Sequence, residues 1–236
     1  MSYQMIRVRG TAAYRLQVTR TTTVAALCAW LGIDRERLLQ ANPDLVSDEL
    51  PDLSHIDVFV GNAAVTNLFG AAHTFSLEKW NLDIAVSLTG NLRVLQAVLP
   101  GMRERKFGRI IFISSTAING MPAQVSYATT KSALLGMMKT VAAETVTLGI
   151  TANAVLPGPT ASSNLLGAPK EILDAWRETL PNGFVAPEDI AAAVAFFASP
   201  RARSVTGQIL TVDGGDGLNL RSMTRTMVNR RAAGPA

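Results

Sequence analysis

Tyr127 and Lys131 stand four residues apart, and Ser114 and Ser115 close an apolar run that begins at Ile110. Four residues is one helical turn, so a helix carries the phenol and the ammonium on one face. A free phenol titrates near pKa ~10 and is a poor base at neutral pH. A neighbouring ammonium favours the phenolate, and a lowering of about 3 units takes roughly 4 kcal/mol of differential interaction. The spacing therefore predicts a phenol tuned downward, able to exchange a proton with a carbonyl or alcohol oxygen near pH 7. A serine hydroxyl nearby would hold that oxygen in place. The tyrosine and lysine alone also describe a surface helix with a solvated ammonium. The serines ahead of them turn the reading toward chemistry.

The elements that must position these groups follow from the apolar pattern. Ile110 to Ile113 is short, continuous and β-branched, the pattern of a parallel strand buried on both faces. The serines then lie at its carboxyl end, where open α/β sheets bind ligands. A loop through Gly120 and Pro122 leads into the tyrosine helix, whose apolar stripe runs through Leu134, Leu135, Met138, Val141 and Ala142. Upstream, Ile56 to Val60 reads as a strand turning at Gly61-Asn62-Ala63-Ala64. Ser76 caps a long helix through Trp80, Leu82, Ile84 and Leu88 to Leu92, Leu95 and Val98. Thr151 to Val155 and Gln208 to Val212 read as further strands, with a helix from Pro187 to Ala198 between them. Strands alternating with helices predict an α/β fold with a doubly wound parallel sheet.

Five motifs in order over residues 55 to 216 resemble the short-chain dehydrogenase/reductase family. His-Ile-Asp-Val-Phe-Val-Gly-Asn-Ala-Ala-Val (55–65) is similar to its fourth strand and Asn-Asn-Ala-Gly turn, with Ala64 in place of the glycine. Gly-Arg-Ile-Ile-Phe-Ile-Ser-Ser (108–115) resembles its serine strand, and Tyr127 with Lys131 its catalytic pair. Asn-Ala-Val-Leu-Pro-Gly-Pro (153–159) is similar to its sixth strand, and Val-Thr-Gly-Gln-Ile-Leu-Thr-Val-Asp-Gly-Gly (205–215) to its last. The resemblance implies an NAD or NADP cofactor, with Asn62 and Ala63 on its adenosine-ribose side and Lys131 on a ribose. It implies Pro157 and Gly158 over the nicotinamide, with Thr160 and Ser162 within reach of the carboxamide. It also implies Tyr127 as acid/base, Ser115 as the oxygen-positioning serine, and pairing into a homodimer or homotetramer through the long helices. Counted back from Tyr127, the family spacing selects Ser114; counted from the strand it selects Ser115, which we take, leaving Ser114 pointing into the sheet. The family's relay asparagine, where its long helix bends around a water, is matched here by Ser87. Asn91, four residues on, reads as an ordinary exposed residue.

The amino-terminal third, residues 1 to 54, departs from that pattern. The family opens with a glycine-rich turn that brings backbone N–H groups to the cofactor pyrophosphate at a helix N-terminus. Before residue 55 the only glycines are Gly10 and Gly32, too far apart for one turn. The periodicity predicts a helix over 23–31 ending at Gly32 and another over 35–40 ahead of Asn42-Pro43. Gly-Ile-Asp-Arg-Glu-Arg-Leu-Leu-Gln-Ala-Asn-Pro-Asp-Leu (32–45) is similar to the second helix of a LysM carbohydrate-binding module. Two alternatives stay open: residues 16 to 27 are a worn third strand and following helix of the dehydrogenase fold, or the leader packs on the sheet without a ligand.

Composition bounds the remaining classes. A chain of 236 residues with 48% apolar and 17% charged residues suits a globular protein with a full core. No unbroken apolar stretch is long enough to cross a bilayer, and no secretory leader opens the chain, so the cytoplasm is expected. The single cysteine, Cys28, excludes an internal disulfide and, with two histidines, leaves no metal site expected. The net charge of +4 is partly concentrated in the tail 219–236, and without aromatic interleaving it points to no nucleic acid or membrane. Residues 55 to 218 form the expected dehydrogenase-like domain. Residues 161 to 182, with Leu165, Leu166, Ile172, Leu173 and Trp176, are the expected lid over a small carbonyl or alcohol substrate. Three functions stay open on these residues: an NAD(P)(H)-dependent carbonyl reductase, a cofactor-independent lyase or isomerase on the same scaffold, and a non-catalytic binding protein.

Overall fold

The structure is a computed structural model and describes residues 4–6, 14–16, 22–23, 49–50, 56–65, 69–180 and 182–218. The expected helices over 23–31 and 35–40, the LysM-like stretch, Cys28 and the basic tail lie outside these residues. Two short antiparallel pairs come first, β1 (Gln4–Ile6) with β2 (Tyr14–Leu16) and β3 (Thr22–Thr23) with β4 (Glu49–Leu50).

The body is a four-stranded parallel sheet in the order β5 (Val58–Gly61), β6 (Gly108–Ile113), β7 (Ile150–Pro157), β8 (Ile209–Val212). Parallel neighbours need a crossover, and helices supply each one. The first crossover is one continuous helical run with three parts. It comprises α1 (Leu77–Asp83), a wider π turn (Ile84–Thr89) and α2 (Gly90–Arg105). The second is α3 (Val125–Thr145), and the third holds α4 (Ser163–Leu166), α5 (Lys170–Thr179) and α6 (Pro187–Ala198). Ser76 begins α1 as expected, its hydroxyl accepting from the Lys79 N–H. The expected strand at 56–60 forms over Val58–Gly61, with Ile56 buried just ahead of it.

β6 is buried along its whole length, and its residues alternate between two helix layers. Ile110 and Phe112 pack with Val94, Leu95, Val98 and Met102 of α2 and Leu134 and Met138 of α3. Ile111 and Ile113 pack on the opposite side with Ala193 and Phe197 of α6. This is why the Ile110–Ile113 run has no polar positions. By length and composition the run 77–105 is long and apolar enough to cross a membrane, which the sequence reading did not anticipate. Its apolar side, however, is the floor of this core, and it carries Arg93, Arg103 and Arg105.

Candidate active site

The carboxyl ends of β5, β6 and β7 converge on one edge of the sheet, and the polar groups gather there. Ser114 leaves β6 buried, and its hydroxyl donates to the Lys131 carbonyl at 2.8 Å. Ser115 faces the other way, partly exposed. Its Oγ accepts from the Ala117 N–H at 3.1 Å, capping the short turn Thr116–Asn119, and it lies near enough to the Tyr127 phenol to favour its ionised form. The two serines thus divide the labour: one ties strand to helix, the other meets the phenol. The loop between them and α3 is tight. Ala123 sits at φ 64°, a left-handed conformation that costs a non-glycine residue, and Gly70 donates to its carbonyl.

Lys131 is 2% exposed, its ammonium donating to the Ile113 carbonyl at 2.6 Å and lying 5.6 Å from the centre of the Tyr127 ring. Burial pulls the Lys131 pKa down to about 8, against an upward pull from the Asp83 carboxylate. Tyr127 shifts up from the ordinary phenol value, first through burial, with the Ser115 hydroxyl opposing and the Asp83 charge adding. The expected downward tuning is therefore not what this site does. Desolvation of the phenolate outweighs the help of an ammonium already engaged with a carbonyl. At neutral pH the pair is a protonated phenol backed by an ammonium, the form that donates a proton.

The remaining candidates fall around this centre. Asn62 is exposed at the end of β5, while Ala63 is buried against the core. Pro157 ends β7, and the Gly158 N–H bonds to the Val212 carbonyl at 2.9 Å. A side chain at 158 would run into Asp213, so glycine is required where the two strand ends meet. The Thr160 hydroxyl donates to the Gly158 carbonyl at 2.9 Å, and the Ser162 hydroxyl caps α4 by accepting from the Leu165 N–H. Both are engaged within their own loop. Ser87 lies in the π turn, donates to Asp83 Oδ1 at 2.6 Å and accepts from the Val65 N–H at 3.1 Å.

Two residues escaped the sequence reading. Asn91, expected on the exposed face, is fully buried; its amide donates to the Ser87 carbonyl at 2.7 Å. Its Oδ1 fills the space a side chain at Gly61 would need. Asp83 is likewise fully buried, with Thr130 of α3 also donating to its Oδ1, at 3.4 Å. The signal that could have found both is their spacing. Residues 83, 87 and 91 are four apart, and a π turn, one residue wider than an α turn, keeps them on one side.

The family model described as enoyl-(acyl carrier protein) reductase matches residues 33–216. An acetoacetyl-CoA reductase of Shinella zoogloeoides is 37% identical over 169 residues, 70% of this chain and 69% of its own length. The chain belongs to the short-chain dehydrogenase/reductase family. A 3-oxoacyl-[acyl-carrier-protein] reductase of Rickettsia prowazekii is 35% identical over 181 residues, covering 74% of this chain and 73% of the relative. The crystal structure of the 3-oxoacyl-[acyl-carrier protein] reductase of Brucella melitensis superposes with a TM-score of 0.65 at 28% identity, covering 81% of this chain and 77% of that one. The chain is accordingly an oxidoreductase of the carbonyl-reductase kind, and its relatives use NAD(P)(H). The cofactor-independent and non-catalytic alternatives are not favoured.

The polar groups at this edge, Asn62 exposed at the end of β5, the backbone at Pro157 and Gly158, and the Tyr127 phenol beside Ser115, are of a kind that could hold such a cofactor. Among the described residues no glycine-rich turn opens a helix on the pyrophosphate side.

Proposed function

We propose that the protein reduces the carbonyl of a 3-oxoacyl thioester to the alcohol with NADPH or NADH. The observation that carries this is Ser115 and the Tyr127 phenol set together in front of the buried Lys131, whose ammonium donates to the Ile113 carbonyl at the carboxyl end of the central strand. Ser115 would hold the substrate oxygen and Tyr127 would give it a proton, which its raised pKa keeps on the phenol until the oxygen becomes basic. Lys131 would steady the charge that the phenol gathers as it lets the proton go, and would bind a ribose. Asn62, Ala63, Pro157, Gly158, Thr160 and Ser162 would line the cofactor, which when bound supplies the hydride. The thioester class is supported by the acetoacetyl-CoA and 3-oxoacyl relatives and by an apolar lid with Leu165, Leu173 and Trp176 turned at least partly inward. A cytoplasmic homodimer or homotetramer fits the same relatives.

The test is NADPH or NADH oxidation, followed spectrophotometrically, with acetoacetyl-CoA as substrate. Turnover that Tyr127→Phe removes supports the reading. Absence of oxidation with either nucleotide, together with no calorimetric heat on adding them, overturns it.

A further inference from the structure

The reaction as described leaves one buried charge without a task. Asp83 is fully buried at the end of α1, one turn from Ser87. Its Oδ1 accepts from the Ser87 hydroxyl at 2.6 Å and the Thr130 hydroxyl at 3.4 Å. Its Oδ2 is enclosed and has no hydrogen-bond partner among the described residues. An ionised carboxylate in such a place is costly unless a cation faces it. Among the described residues that surround it, the π turn (Ile84–Thr89) and the turn 62–65 carry no ionisable group. Helix α3 packs directly on α1 and carries four, of which Tyr127 and Lys131 flank Thr130 while Lys139 and Glu144 are exposed further along; Glu78 and Lys79 of α1 itself are also exposed.

We propose that Asp83 is the counter-charge of the Lys131–Tyr127 pair and, through the Ser87 hydroxyl and the Val65 N–H, the brace that fixes the turn 62–65 beside it. Asp83 is a positioning residue in this scheme: it touches neither substrate nor cofactor. It acts on both groups in one sense, favouring the protonated lysine and the protonated tyrosine. A carbonyl reductase needs both in that form before hydride arrives, so this part of the proposal rests on the function given above. The coupling between Asp83 and Lys131 does not.

The asparagine variant is the sharp probe, because its Oδ1 keeps both hydroxyl bonds and its amide replaces only the unpartnered Oδ2. The full-length protein is labelled at lysine Cε with carbon-13 and titrated by NMR, with the Lys131 resonance assigned by its loss in Lys131→Met. In Asp83→Asn the Lys131 midpoint should fall by about one pH unit or more from its place near 8, since a neutralised counter-charge no longer offsets burial. The other four lysines should not move. An unmoved Lys131 midpoint overturns the proposal. If Asp83→Asn does not fold, the double variant Asp83→Asn/Lys131→Met decides. Recovery of the fold supports charge coupling, and continued failure overturns it.

A second readout is the pH profile of acetoacetyl-CoA reduction, whose alkaline limb should move acidward in Asp83→Asn by the same amount as the lysine midpoint. A purely structural Asp83 would lower the whole profile without moving the limb, which would count against the proposal. A shifted lysine in a protein that oxidises no NAD(P)H would uphold the coupling and remove the reductase reading.

Discussion

The two faces of the central sheet are built from the same strands but on opposite terms. Against α6, Ile111, Ile113 and Val155 meet Ala193 and Phe197, and the polar residues buried on that side, Arg109, Thr151 and Asn153, lie nearer the amino ends of their strands. Against the helices of the other face, a core of similar side chains is interrupted by buried Asp83, Ser87, Asn91, Ser126, Thr130, Lys131 and Thr145. Most of these groups sit where α1, the π turn and α3 press together. A buried polar group stabilises a fold only when it is paired, and several here are incompletely paired. Both faces bury polar groups, but only on the α1–α3 side do they gather around the serine, tyrosine and lysine at the carboxyl edge of the sheet.

The contrast can be broken by experiment in order of size. Tyr127→Phe should lower kcat for carbonyl reduction by about 10²–10⁴-fold, the usual worth of a positioned proton donor, while thermal unfolding stays within a degree or so of the parent. A large loss of stability in that variant would mean the polar face is also structural. Phe197→Ala on the apolar face should do the reverse. About 3–5 kcal/mol of unfolding free energy should be lost in a denaturant titration, with kcat per folded molecule unchanged.

Two smaller effects sharpen the comparison. Lys131 binds its proton more weakly folded, near pH 8, than unfolded, so the unfolded chain holds more protons between about pH 8 and 10.5. Stability from this group is therefore missing below pH 8 and gained as pH rises through that window, by at most about 3 kcal/mol. Urea unfolding of the parent against Lys131→Met should show the difference moving in the parent's favour from pH 8 upward. A difference that is flat with pH would sink this account. Gly61→Ala should cost on the order of 1–3 kcal/mol, because the new Cβ overlaps Asn91 Oδ1 and crowds Phe112. Asn91→Ala in the same chain should recover part of that loss in the same unfolding assay.

What the sequence disclosed follows the same division. The run Ile110–Ile113 could be read because a strand covered on both faces permits no polar position, and Tyr127 and Lys131 because one helical turn admits few alternatives. Ser115 could be separated from Ser114 by counting along the strand, since alternate residues face opposite ways. Asp83 and Asn91 were legible only through their four-residue spacing with Ser87, because an acid and an amide within an apolar helix are ordinarily its wet side. The π turn between Asp83 and Asn91 keeps both on the side of Ser87, and nothing in Ile-Ala-Val-Ser-Leu-Thr announces that turn. The direction of the Tyr127 shift was hidden for a related reason: spacing shows that an ammonium is near, but only the packed structure shows how dry the phenol is and that Ile113 already holds the ammonium.

The overlap between Gly61 and Asn91 also bears on the order in which this protein can change. Any side chain at 61 must be preceded by trimming at 91, while trimming at 91 alone removes only one amide bond to Ser87. A survey of single substitutions would score position 61 as closed. The same survey begun from a chain with alanine at 91 would find it partly open. The two positions form a ratchet, and a lineage holding glycine at 61 has one passable direction out of it.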